Sequence, residues 1–173
     1  MQTNKFDFLL DIFKKQSELD KFILENTKDK IKNLLEKKIL SFTVEVAELC
    51  NETRCFKYWS KKSPSSKEIL LDEYADGLHF LVSIGIALGL TKIIPQPLED
   101  FEKCELFELF NHIFLASSIF LLHANSEHGN GYYQNLFNFY YFLGQKLNFS
   151  DHEIHNAYCK KNQINYERQK NNY

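Results

Sequence analysis

The stretch that decides the fold is Ile31-Lys32-Asn33-Leu34-Leu35-Glu36-Lys37-Lys38-Ile39-Leu40-Ser41-Phe42-Thr43-Val44-Glu45-Val46-Ala47-Glu48-Leu49. Ile31, Leu34, Leu35, Ile39, Phe42, Val46 and Leu49 recur at three- and four-residue steps, the period of one helix face. The pattern predicts a long helix from about Lys28 to beyond Asn51. It ends before Lys61-Lys62-Ser63-Pro64, because proline disfavours helix in the residue before it. Upstream, Phe6, Leu9, Leu10, Phe13, Leu19, Phe22 and Ile23 keep the same period and predict a helix from about Asp7 to Glu25. Downstream, Ser65 with Glu68 reads as a capping box opening a third helix, about Ser66 to Leu90, stopped by Pro95 and Pro97. A strongly apolar fourth helix spans roughly Phe101 to Ala124. Asn125 to Gly131 is a loop by composition, and a fifth helix runs from Tyr132 to Leu147. Ser150 with Glu153 gives a second capping box, starting a short helix to about Lys161, and the polar residues beyond read as an extended tail. Nothing repeats, and no strand alternation appears. The fold class is all-α: a bundle of four to five packed helices with a short C-terminal helix and an extended tail.

With 173 residues, the chain is read as one domain over 1–173, long enough to bury a core. Apolar residues at 44% and charged residues at 25% argue against disorder. A formal net charge of −2 excludes a broadly basic nucleic-acid binder. Basic residues nevertheless collect in residues 155–173, where Lys160, Lys161, Arg168 and Lys170 outnumber Glu167. Cys50, Cys55, Cys104 and Cys159 form no CxxC pair and read as reduced thiols of a cytoplasmic protein. Acids interrupt the first apolar run, which predicts no signal peptide, and the run Gly77 to Leu90 is too short for a bilayer and contains His79. A soluble protein with no membrane partner is expected. The apolar fourth helix and the aromatic fifth, with Tyr132, Tyr133, Phe137, Phe139, Tyr140, Tyr141 and Phe142, suggest a subunit interface. His123, His128, His152 and His155 share no ligand spacing with the acidic residues.

The chemistry sits on the second and third helices. Glu45 and Glu48 are spaced i, i+3, with Glu52 a turn beyond, and Glu73 and Asp76 repeat the spacing. Such side chains share one helix face, with Cβ atoms about 5–6 Å apart. From spacing alone they could be two solvated acidic faces. Glu45, however, falls between Phe42 and Leu49 on the apolar stripe, and Glu73 leads into Gly77, Phe80 and Ile84. Four inward carboxylates on adjacent helices cannot all stay ionised without a cation. Oxygen ligands without His or Cys select Mg²⁺, with Mn²⁺ as a substitute, over zinc. A di-iron centre would need Glu-x-x-His, which neither pair supplies.

The stretch Glu45-Val46-Ala47-Glu48-Leu49-Cys50-Asn51-Glu52-Thr53-Arg54-Cys55-Phe56-Lys57-Tyr58-Trp59, followed by Glu73-Tyr74-Ala75-Asp76-Gly77-Leu78-His79-Phe80, resembles the dimeric all-α dUTP pyrophosphatases, within the wider MazG-like group. Gln16-x-x-Leu19-Asp20 is similar to that family's N-terminal motif, and the segment Lys161 to Tyr173 to its C-terminal one. The resemblance implies a homodimer that hydrolyses dUTP to dUMP and pyrophosphate and also accepts dUDP. It implies that Glu45, Glu48, Glu73 and Asp76 hold Mg²⁺ and are catalytic. Glu45, or else Glu48, deprotonates the attacking water. Lys161 and Arg168 contact phosphates, Gln16 and Asn165 the base, and Trp59 the base or sugar. Lys57, His79 and Tyr173 complete the substrate-binding set, with residues 155–173 closing over the nucleotide. Asn172 stands where the family usually has Gly, and Asp20 where several relatives have Asn. Alternatives are a house-cleaning pyrophosphatase for another nucleotide, against which Gln16, Trp59 and the tail speak, or a regulatory module without turnover, against which the four acids speak.

Overall fold

A computed structural model describes residues 6–27, 31–98, 101 and 103–171. Among the described residues six α-helices follow in chain order: α1 (Asp7–Asn26), α2 (Leu34–Thr53), α3 (Lys67–Ala87), α4 (Leu106–His123), α5 (Gly129–Lys146) and α6 (Asp151–Lys170). No strand occurs among the described residues. Helix α3 is the hub. It packs on α2 along one side, on α1 and α6 along another, and on α5, while α4 and α5 form an antiparallel pair with α4 also touching α2. Of the predicted stripes, Leu9, Phe13, Leu19, Ile39, Phe42, Val46 and Leu49 are buried, whereas Leu10 is exposed; Ile12 and Leu81 join the core beside them.

The largest departure from expectation is at the C-terminus. Residues 151–170 form one continuous helix instead of a short helix and an extended tail. Hydrophobic periodicity could not find it, because the face that α6 buries is largely polar: Tyr158, Lys161 and Asn162 accompany Ile154. Its start matches the reading. The Ser150 hydroxyl accepts from the Glu153 amide at 3.2 Å, while the Glu153 carboxylate accepts from the Ser150 amide at 2.9 Å.

Other boundaries shift by local chemistry. Ser66, not Ser65, precedes α3, and the hydroxyl and amide of Ser65 both turn to Glu52, so the Ser65–Glu68 capping box does not form. Glu105 and Glu108 cap α4 reciprocally and start it at Leu106, after the expected Phe101. Helix α5 begins at Gly129, inside the expected loop. Helix α2 starts at Leu34 rather than near Lys28: Ile31 to Asn33 are not helical, and Asn33 takes a left-handed backbone that interrupts a helix, while Lys28 itself lies outside the described residues. Helix α4 is long and apolar enough to cross a membrane by length and composition, a property the run Gly77 to Leu90 lacks. It packs on α2 and α5 and leaves Leu115, Leu121 and Leu122 exposed.

The aromatic residues expected at a subunit interface are mostly internal. Tyr133, Phe137 and Tyr140 of α5 are buried in the chain's own core. Tyr74 of α3 and Tyr140 of α5 stack with centroids 4.6 Å apart. Each hydroxyl donates to the other residue's carbonyl, at 3.2 and 2.8 Å. The rings fit because each lies over a glycine, Tyr140 over Gly77 and Tyr74 over Gly144. Tyr133 repeats the device over Gly85 and donates to the Leu81 carbonyl at 2.9 Å.

Gly→Ala inside a helix ordinarily gains about 1 kcal/mol. At Gly77 the new Cβ would collide with the fully buried Tyr140 phenol, which has nowhere to go. Gly77→Ala is therefore expected to destabilise by about 2 kcal/mol, lowering Tm by roughly 4–8 °C in a thermal melt. A melt at or above wild type would show that the ring is not locked.

Candidate active site

Each of four helices turns a polar stripe toward one cleft of about 500 Å³. Helix α1 brings Gln16 and Asp20, α2 brings Lys38, Ser41 and Glu45, α3 brings Asp76, His79 and Ser83, and α6 brings Asn165, Arg168 and Gln169. Leu19, Ile23, Leu24 and Phe80 make its apolar wall. The cleft is thus acidic at one end and apolar with fixed polar groups at the other.

At the acidic end, one carboxylate oxygen each from Glu45, Glu73 and Asp76 lie within 4.8 Å of one another. Glu48 stands beside them on the exposed flank, lining a shallow groove with Glu73, Asn51 and Glu52. Burial first, and then the charges of Asp76, Glu48 and Glu73, push the Glu45 carboxyl up to about 7. Burial likewise raises Glu73, with Glu48 and Asp76 adding to it. Burial raises Asp76 too, opposed by Lys161. The Lys161 ammonium is buried and lies 2.6 Å from Asp76 and 2.9 Å from Asp72. Its place is therefore under the acids, as their counter-charge, and it is not among the residues lining the cleft.

The other end is a closed hydrogen-bond network around Gln16. The Gln16 carbonyl accepts from Tyr158 Oη at 2.6 Å and from His79 Nδ1 at 2.7 Å. The Gln16 amide donates to Asp20 Oδ1 at 2.7 Å, leaving it one N–H. Asp20 Oδ2 accepts from Lys38 at 2.8 Å and from Ser83 at 2.5 Å. Since His79 Nδ1 donates, its Nε2 carries a lone pair, and that atom is buried without a partner. Burial holds the imidazole neutral, with its pKa pushed down to about 4. Stacking on the Tyr158 ring, with centroids 4.1 Å apart, fixes its plane.

Of the site residues read from the sequence, Gln16, Glu45, Asp76, His79, Asn165 and Arg168 line this cleft, and Glu48 and Glu73 border it. Asn165 and Arg168 do so from a docked helix, not from an extended tail. Trp59 and Lys57 lie outside it: Trp59 is exposed in an aromatic cluster with Phe56 and Tyr58, and Lys57 donates to Asn51 at 2.5 Å. Tyr173 lies outside the described residues. Lys38, Ser83 and Tyr158 were not legible as site residues, though a pattern exists. Lys38 precedes Glu45 by seven residues and Ser83 follows Asp76 by seven, two turns along the same faces.

The raised Glu45 carboxyl has a consequence for the protein without divalent metal. Its folded pKa, about 7, lies above the ordinary 4.5, so folding binds a proton between those values. The contribution of this group to stability is therefore fully present below about pH 4.5 and is lost as pH rises through 7. In EDTA, Glu45→Gln should melt above wild type at pH 8, by on the order of 1 kcal/mol after allowance for solvent screening, and show little gain at pH 4.5. An equal shift at both pH values would contradict this electrostatic account.

The model of the dUTPase family matches residues 8–173, nearly the whole chain. Comparison with curated proteins gives no match. The helical fold and the extent of the family match agree, and the chain belongs to the all-α dUTPase family, with the activity of a dUTP diphosphatase.

Proposed function

We propose that the cleft hydrolyses dUTP in a Mg²⁺-dependent reaction giving dUMP and pyrophosphate, and takes dUDP to dUMP and phosphate. The observation that carries this reading is the three-oxygen cluster at one end of a cleft whose other end offers a donor and an acceptor in fixed positions. The cluster fits the ion: it is all-oxygen, and three carboxylates driven together by the fold favour a hard divalent cation. Glu45, Glu48, Glu73 and Asp76 would hold it, with Mn²⁺ as a substitute. Bound there, Mg²⁺ would neutralise charge on the phosphate oxygens.

The chain's own groups supply the rest. Glu45, a carboxylate of the acidic cluster, accepts the proton of the attacking water. Arg168 faces the phosphates, where its planar fork suits their oxygens. At the other end, His79 Nε2 accepts the N3–H of uracil, and the remaining Gln16 N–H donates to a neighbouring carbonyl oxygen of the base. Cytosine presents no such N–H, and leaving a buried lone pair unmatched is costly. Phe80 and Ile23 pack the ring, and Asn165 approaches from α6. We further infer a cytoplasmic homodimer. Helices α2 and α4 are neighbours, and each exposes apolar residues, Leu40 and Val44 on one, Leu115 and Leu122 on the other, which suits a second copy.

Product analysis after incubation with dUTP, dUDP, UTP, dCTP or dTTP, each with Mg²⁺ or EDTA, tests the reading. Monophosphate is expected from dUTP and dUDP only, and only with Mg²⁺. Asp76→Asn should lower turnover by about 100-fold or more. Turnover in EDTA would overturn the metal role, and cleavage of dCTP would overturn the His79 assignment. Analytical ultracentrifugation should give a dimer that Leu122→Glu splits, and a wild-type monomer would refute the assembly.

A further inference from the structure

A second cluster lies on the seam between α1 and α6, away from the α2–α3 acids. Asp11 Oδ2 is 2.7 Å from His155 Nε2, and Cys159 Sγ is 3.6 Å from the same nitrogen. The three donor atoms all lie within 4.8 Å of one another. His155 and Cys159 are four residues apart on α6 and share a face, while Asp11 is supplied across the seam from 144 residues away. Sequence spacing does not connect them, because Asp11 and His155 lie 144 residues apart.

We propose that Asp11, His155 and Cys159 form a transition-metal site of the zinc class. Tetrahedral zinc holds O and N ligands at about 2.0–2.1 Å and S at about 2.3 Å, which sets donor atoms about 3.3–3.6 Å apart. The nitrogen–sulfur separation, 3.6 Å, already matches, and the oxygen–nitrogen pair, at 2.7 Å, has only to open by about half an ångström. Imidazole and thiolate are the ligands that distinguish zinc from magnesium, so this seam and the all-oxygen cluster select different ions by donor chemistry. The sulfur and one carboxylate together balance a divalent charge, and the fourth position is open to water. His155 and Asp11 are partly exposed, at 29% and 38%, which gives the ion a way in. Lys15 does not occupy the site: its ammonium lies on the other Asp11 oxygen, Oδ1, at 2.8 Å. Its charge nevertheless opposes a cation, so removing it tightens binding. A metal here would staple α1 to α6 along the seam that also joins Gln16 to Tyr158 and Phe22 to Tyr166.

Cobalt(II) titration of the full chain tests the site, because cobalt bound by a thiolate absorbs in the near ultraviolet whereas cobalt on oxygen ligands alone does not. The expected result is one thiolate-bound cobalt per chain. Its band should be lost in Cys159→Ser, kept in the Cys50→Ser/Cys55→Ser double variant, and displaced by one equivalent of Zn²⁺. Lys15→Met should lower the zinc concentration needed for displacement, and Zn²⁺ should raise the Tm of wild type but not of His155→Ala. Absence of the band from wild type, or its survival in Cys159→Ser, would overturn the proposal and leave only an Asp11–His155 ion pair. Dialysis against Mg²⁺ with retained dUTP turnover keeps this outcome separate from that of the substrate cleft.

Discussion

The structure depends on holding carboxylates closer together than water would allow. Glu45, Glu73 and Asp76 meet where α2 packs on α3; burial raises the proton affinity of all three, and neighbouring carboxylates add to it. Lys161 answers that charge from a third helix. The ammonium of a lysine with only 7% of its surface exposed needs partners, and Asp72 and Asp76 supply them. Together with buried Ile154 and Tyr158, this ion pair is part of what docks α6 although its sequence is polar. The same docking brings Asn165 and Arg168 to the cleft on a rigid element, where positions are better defined than on a loop.

The opposite end of the cleft obeys a different constraint, that of polar satisfaction. Gln16, Asp20, Lys38, Ser83, His79 and Tyr158 form one network in which almost every donor and acceptor is matched inside the protein. The exceptions carry the information. The His79 Nε2 lone pair is buried without a partner, the Gln16 amide has a second N–H beyond the one given to Asp20, and the network holds both side chains in place. A ligand edge matching both gains their hydrogen bonds without the entropy of ordering them.

Packing behind the site keeps these helices in register. The tyrosine rings of α3 and α5 lie over each other's glycines and donate to each other's carbonyls, so separation or sliding of α3 and α5 loses contact area and hydrogen bonds together. This internal use of α5 shifts the apolar excess to α2 and α4, where Leu40, Val44, Leu115 and Leu122 remain exposed.

By itself the sequence determined what periodicity and local chemistry can encode. The apolar stripes of α1 to α5 placed those helices within a few residues, Ser150 and Glu153 marked the start of α6, and the paired i, i+3 acids with their flanking motifs pointed to the family and the acidic end of the cleft. What it could not encode was how polar residues on different helices would meet. The length of α6 was hidden because its buried stripe is Tyr158, Lys161 and Asn162, which no hydrophobic period registers. Lys161 lies under the acids instead of lining the cleft, and Asp11 meets His155 and Cys159 across most of the chain. Only tertiary structure decided these pairings, because an ion pair or hydrogen bond between helices is fixed by their packing distance and rotation, which depend on the glycines, tyrosines and aliphatic side chains between them.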